Sequence, residues 1–439
     1  MLITGAQVQG RTVDVRVRGE VVTEVGELPP ARGETVIEAR GGALLPGLHD
    51  HHVHLLSLAA AAASVHCGPP AVTDLDGLAR VLHARTGPVR GIGYHESVAG
   101  ILGRHELDRL VPGRPVRIQH RGGALWMLNT PALTEAGLLE RYPDGRLWRA
   151  DAELRGTTAP PDLAAVGRRL ASLGITGVTD ATPDLTGDTI RLLTAGDLPQ
   201  RLQLLGAPTG AELPGGVTIG PYKILRPDHE PPDWDALHHE ISLRHAEGRP
   251  VAVHAVTRES LVVTLGVLDQ AGALPGDRIE HAAVVGQDVI PLLAKVNPVV
   301  VTQPGFVTER GAQYRRDIPE NEHPDLYRFA SLLRAGLRVA ASSDAPFASE
   351  DPWRTIAAAA ERELAPQERV PPRQALAGYL APLDDPGGPP RRIVPGAPAD
   401  LCLLHVPLAE ALSTLDASVV AATIVRGEVL LPGQATLGR

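Results

Sequence analysis

Cysteine is nearly absent from this chain. Cys67 and Cys402 are the only two in 439 residues, which excludes a disulfide framework and a cysteine-rich zinc site and fits a reducing compartment. Aromatics are scarce at 3%, so the core must be built from Ala, Val and Leu. No apolar run approaches the roughly 20 residues that a membrane-spanning helix needs; the alanine-rich stretch from Leu55 to Ala63 is far too short. The N-terminus lacks a basic segment followed by an apolar one, so no secretory leader is expected and the expected location is cytoplasmic. Runs of one charge are missing too. The net charge of -9 is spread along the chain, leaving no footprint for nucleic acid or an anionic membrane surface. The expected partner is a small-molecule substrate, with a homodimer left open.

Glycine and proline are abundant, at 46 and 40 residues, and they punctuate a regular pattern. Residues 1–45 alternate in the period-two manner of short half-buried strands, and residues 390–439 do the same through LCLLHV and TIVRGEVLL. One small β domain, a β-sandwich assembled from both termini, is therefore expected around a central domain spanning 46–389. In that middle, eight β-branched runs recur, mostly separated by helical patterns: LLPGLHDHHVH near 50, GITGVTDA at 174–181, RLQLLG at 201–206, YKIL at 222–225, PVAVHAV at 250–256, DRIEHA at 277–282, PVVVTQP at 298–304 and LRVAASSDAP at 337–346. Eight βα units are what a closed α/β TIM barrel, (β/α)8, requires. A long insertion after the first run, about 69–170, is the expected lid.

Metal-friendly side chains fall at the C-terminal ends of these runs, where barrel enzymes place catalytic groups. His52 and His54 close the first as His-Val-His. Residues two apart on a strand share a face, so both imidazoles can address one ion; the alternative, a surface cluster of histidines, fits poorly with the apolar strand that leads straight into them. His254 ends PVAVHAV and His281 ends DRIEHA. Either alone reads as a hydrogen-bonded core histidine, and together, on successive strand ends, they point to ligation. Asp344 follows VAASS, where a carboxylate can ligate a metal and carry a proton, or else cap the next helix. Lys223 sits inside the apolar YKIL. Burial lowers a lysine's pKa toward the neutral amine, which can take up carbon dioxide as a carbamate able to bridge two cations; a lysine snorkelling from a strand end is an equally good reading.

The chain resembles the amidohydrolase superfamily, and within it the branch that includes N-substituted formamide deformylase. The segments LITGAQVQGRTVDVRVRGEVVTEVG, LLPGLHDHHVHL, GITGVTDATP, YKILRPD, RIEHA, TQPGF, LLRAGLRVAASSDAPFASEDPWRTIAAAAER and PGAPADLCLL carry the resemblance over nearly the whole chain. It implies that His52, His54, His254 and His281 are metal ligands, that Lys223 is a ligand carrying carbon dioxide as a lysine carbamate, and that Asp344 is both ligand and catalytic acid/base. PVRIQHRGGALWMLNTPALTEAGL resembles the branch's pocket-lining segment, which makes His120, Arg121, Trp126 and Asn129 substrate-binding candidates, with packing and capping as their plain alternative. Gln303, in TQPGF, is a further substrate-binding candidate. Three places depart from the branch: HAVTRES after His254, Ala124 ahead of Trp126, and RPDHE after Lys223.

A divalent ion of zinc type suits these donors, one or two per chain, and makes hydroxide available near pH 7. The expected reaction is hydrolysis of a non-peptide C–N bond, in an amide, N-formyl or cyclic amide, by metal-activated hydroxide. A mononuclear deaminase with an ordinary Lys223, a lyase or cyclase on the same scaffold, and a barrel kept only for binding are the competing readings.

Overall fold

The computed structural model describes residues 1–154, 161–195, 198–226 and 231–430. The chain divides into two compact units, Met1–Leu55 with Leu163–Arg439, and Leu56–Asp162.

The first unit opens with β1 (Leu2–Val8), β2 (Arg11–Arg18), β3 (Val21–Gly26) and β4 (Val36–Glu38), in a sheet ordered β3-β2-β1-β4. A short β5 (Leu44–Pro46) leads into β6 (Leu48–Val53), all six residues of which are buried. Gly177 faces β6 and admits no side chain: a Cβ there would lie 2.6 Å from Cδ2 of His49.

After the second unit, parallel strands follow: β12 (Ile175–Asp180), β13 (Arg201–Leu204), β14 (Val217–Ile219), β15 (Tyr222–Ile224), β16 (Val251–Ala255), β17 (Arg278–His281), β18 (Val299–Thr302) and β19 (Val339–Ala341). All eight runs read from the sequence are thus strands, with β14 added. They form two parallel sheets, β14-β13-β12-β6 and β15-β16-β17-β18-β19. Backbone hydrogen bonds join the sheets at both seams. Lys223 N donates to the Leu205 carbonyl (3.1 Å), while Asp344 N donates to the His52 carbonyl and His54 N to the Ala345 carbonyl (both 2.9 Å). Helices such as Trp234–Ala246 and Arg258–Ala271 separate the strands, and β18 reads as unbroken Val-Val-Val-Thr because it is buried on both faces.

The C-terminal strands β20 (Leu401–Leu404), β21 (Val420–Val425) and β22 (Glu428–Leu430) pair in the order β22-β21-β20-β5. Their Leu401, Leu403 and Ile424 share one apolar core with Ile3, Val15 and Leu44 from the other end of the chain.

The second unit holds a five-stranded sheet, β11-β10-β9-β8-β7, made of β7 (Val65–His66), β8 (Val89–Tyr94), β9 (Val116–His120), β10 (Leu125–Leu128) and β11 (Arg146–Trp148). Leu78, Leu107, Ile118 and Met127 are among its core. The unit begins at Leu56, earlier than the 69 expected from sequence, because β7 pairs with β8 and draws the preceding segment into this sheet. Among the described residues, no helix is long and apolar enough to cross a membrane.

Candidate metal centre

β6 delivers His52 at its C-terminal end and His54 just beyond it, while Asp344 stands three residues past β19. The Asp344 Oδ1 lies 3.2 Å from His54 Nε2 and 3.4 Å from His52 Nε2. Its Oδ2 lies 3.8 Å from His281 Nδ1. The His281 ring is 4.8 Å from that of His52, and the His254 ring 4.5 Å from that of His281. The imidazoles of β6, β16 and β17 therefore form one continuous cluster around the Asp344 carboxylate. Among the described residues, His52, His54 and Asp344 are the group of three whose donor atoms all lie within 4.8 Å of one another. Lys223 is 2% exposed, so it does not snorkel to solvent.

The donors fit a divalent cation. Among the described residues, His52 Nε2 and Asp344 Oδ1 are buried without a hydrogen-bond partner, a costly state for polar atoms unless an ion lies between them. His281 and Asp344 also hold left-handed backbone, at φ 72° and 56°. For residues other than glycine this costs roughly 1 kcal/mol or more each, and such strain collects at functional sites.

The far nitrogens of the imidazoles are engaged, which fixes how the rings are aimed. His52 Nδ1 bonds Glu280 Oε2, and Glu280 is fully buried. His54 Nδ1 lies 3.2 Å from Thr182 Oγ1. His281 Nδ1 meets Gln303 Oε1 at 2.8 Å, and Gln303 Nε2 donates to Ser342 Oγ at 2.9 Å. Asp50 Oδ1 accepts from the backbone N–H groups of His52 and Ser343, each at 3.2 Å, tying the two ligand-bearing segments together. Asp50, Thr182 and Glu280 escaped the sequence reading. Strand alternation places Glu280 and His281 on opposite faces, yet both touch His52, because the left-handed φ of His281 breaks the alternation.

Electrostatics holds the donors in ligand-ready forms. Burial, reinforced by Lys223, keeps the His52 imidazole well below its usual value, and burial pushes His281 down to about 3; both are neutral near pH 7. Burial acts to raise the Asp344 carboxyl, but His52, His54 and His281 outweigh it and hold it well below the usual range. Burial lowers the Lys223 ammonium against the pull of Glu280 and Asp344.

The remaining sequence candidates have settings of their own. Gln303 is fully buried and spends its amide on His281 and Ser342. His120, Arg121 and Trp126 belong to the second unit. There His120 Nε2 pairs with Glu96 at 2.8 Å, Arg121 is exposed, and Trp126 packs with Leu128, Leu133 and Leu147. Asn129 is fully buried and caps the helix Thr130–Glu135, accepting from Ala132 N at 3.1 Å. The HAVTRES departure is a helix start: Thr257 caps Arg258–Ala271 reciprocally with Ser260. Of the RPDHE stretch, 227–230 lie outside the described residues.

Comparison with known proteins bears on the family and the fold. The sequence model of the amidohydrolase family matches residues 35–431. The chain is 26% identical to N-substituted formamide deformylase of Arthrobacter pascens, over 86% of this chain and 88% of that one. Among solved structures, an uncharacterized metal-dependent hydrolase from Pyrococcus horikoshii superposes with a TM-score of 0.76 at 19% identity, covering 95% of this chain and 97% of the other. Atrazine chlorohydrolase from Arthrobacter aurescens, complexed with zinc, gives 0.57 at 14% identity, covering 99% and 97%.

Proposed function

The chain belongs to the amidohydrolase family, and from that membership we propose that it hydrolyses a C–N bond in a small amide, N-formyl compound or cyclic amide. One observation carries the reading: His52 Nε2 and Asp344 Oδ1, buried and without hydrogen-bond partners among the described residues, converge with His54 on one point. His52, His54, His281 and Asp344, with His254 and Lys223 beside them, would hold one or two ions of zinc type at the C-terminal ends of strands closed into a barrel. When bound, such an ion supplies Lewis acidity and acidifies water to a pKa of about 7. Asp344, ionised at neutral pH, accepts the proton of the attacking water and returns it to the leaving nitrogen. Glu280 and Gln303 keep the His52 and His281 rings aimed, and we assign Gln303 to that task in preference to substrate contact. Lys223, whose ammonium burial disfavours, would take up carbon dioxide as the amine with loss of a proton, and its carbamate would add two oxygens to the donor set.

The N-formyl preference follows the formamide deformylase similarity. The mononuclear deaminase is the second reading, favoured by the single three-donor group that forms among the described residues, at His52, His54 and Asp344. The deciding experiment assays N-formyl amines, linear amides, cyclic imides and phosphotriesters against the wild type and Asp344→Asn, with elemental analysis of both. Asp344→Asn should stay folded and metal-bearing and lose on the order of a hundredfold or more in turnover. Activity confined to phosphotriesters, or an undiminished Asp344→Asn, rejects the chemistry.

A further inference from the structure

The candidate metal centre opens to solvent at His54, whose side chain is 16% exposed, against 0% for His52 and 9% for Asp344. The ring standing beside His54 there is Phe347, nearly perpendicular to it at a centroid distance of 5.5 Å. The chain has three phenylalanines. Phe306 and Phe329 are buried at 4% and 1% exposure, whereas Phe347 is 51% exposed. One exposed apolar side chain is ordinary on a protein surface; this one borders a candidate ligand and is fixed in place.

The backbone fixes it. Phe347 N donates to the Asp344 carbonyl at 2.9 Å, and the Phe347 carbonyl accepts from Arg310 Nη2 at 2.6 Å. Two residues on, Ser349 N donates to Glu309 Oε1 at 3.1 Å. Arg310 also lies over the Phe306 ring, 4.4 Å from its centre, so both charged side chains that meet this loop are engaged by the protein itself. Val256, Ala283 and Ala348 each follow shortly after a candidate ligand in sequence, and they pack in one apolar cluster with Phe306 and Tyr327. The hydroxyls of Tyr314 and Tyr327 meet each other at 3.2 Å. A wall of this kind receives hydrocarbon, and an aromatic ring gains from offset or edge contact with an exposed phenyl beyond the area it buries.

We propose that Phe347 is a specificity-determining residue, the wall against which the substrate lays an uncharged aromatic ring joined to the scissile amide directly or through one carbon. The inference rests on the metal-dependent hydrolysis proposed above and narrows it, from small amides in general to aryl amides. Phe347 touches the substituent and not the reacting atoms.

Hydroxamates chelate zinc through two oxygens without needing to be hydrolysed, so calorimetric titration of the zinc-loaded protein with them tests the wall apart from catalysis. Benzohydroxamate should bind about tenfold more tightly than acetohydroxamate. Phe347→Ala should remove most of that preference by weakening benzohydroxamate, at unchanged zinc content, and Phe347→Tyr, which keeps the ring, should retain it. With formanilide as substrate, Phe347→Ala should raise KM more than it lowers kcat, because a contact with the substituent is made in ground and transition states alike. Equal binding of the two hydroxamates by the wild type, an undiminished preference in Phe347→Ala, or an equal loss for both ligands would overturn the proposal. Tighter binding of 4-carboxybenzohydroxamate than of benzohydroxamate would also overturn it, by giving the wall to a charged substituent met by Arg310. Failure of acetohydroxamate itself to bind would reject the metal centre and this proposal together. An aromatic preference that depends on Phe347, in a protein that hydrolyses no amide, would sustain the wall and reject the hydrolysis.

Discussion

Glu280 does more at this site than its absence from the sequence reading implies. An imidazole takes its orientation and basicity from what its other nitrogen meets, and for His52 that is a fully buried carboxylate braced by Arg278. Glu280→Gln keeps the shape and removes the charge, so metal affinity should fall by about 10 to 100-fold with the fold intact, as measured by competition with a chelator. An unchanged affinity means the contact is only packing. His52→Ala and His281→Ala should lower metal content more severely, since each removes a donor nitrogen, and elemental analysis of the purified variants checks it. Full retention in both would show that the site has been misassigned. His52, His54 and Asp344 were legible because residue type and strand-end position coincide; Glu280 was not, because the break in alternation at His281 is a backbone event that the letters RIEH do not reveal.

Strand β6 shows how one element serves two environments. Its His52 joins the candidate ligand cluster, while His49 packs against Gly177, with Arg391 among the charges that act on it. Burial first, and Arg391 second, hold the His49 imidazole well below its usual value of 6.5. The unfolded chain protonates this residue as pH falls through 6.5, whereas the folded chain does not until much lower. The folded state therefore binds fewer protons in that window, and stability is lost as pH falls, by at most about 1.4 kcal/mol per pH unit from this one group. His49→Leu should flatten the decline of the urea midpoint between pH 7 and 5 relative to the wild type. Parallel declines would assign the acid sensitivity to other groups. The sequence cluster HDHHVH does not by itself say which histidines face which way; the apolar lead-in and period two marked His52 and His54, and pairing with β12 is what buries His49.

For the molecule as a whole, the two chain ends are held by one core. Leu403 is 3% exposed and shares that core with Ile3, Val15 and Leu44. Leu403→Ala should cost about 2–5 kcal/mol in urea unfolding, and hydrogen exchange should then speed up in β1 and β2 as well as in β20 and β21. Loss of protection restricted to β20–β22 would mean that the two terminal sheets are stable independently.

Local chemistry determined much of this protein before any contact was known. Period-two alternation at both ends, eight β-branched runs with Gly and Pro between them, and ligand-type residues at run ends depend only on neighbours in sequence; the runs reappear as strands, and His52, His54, His254, His281 and Asp344 come together in one cluster. The tertiary structure decided what depends on distant partners: that Glu280 of β17 reaches His52 of β6, that Asp50 clasps Ser343, and that Asn129 and Gln303 spend their amides on protein partners. These residues are common types in unremarkable local settings. Their roles arise from a desolvated polar atom finding, or failing to find, an acceptor across the fold, a property of three-dimensional packing that no stretch of neighbours encodes.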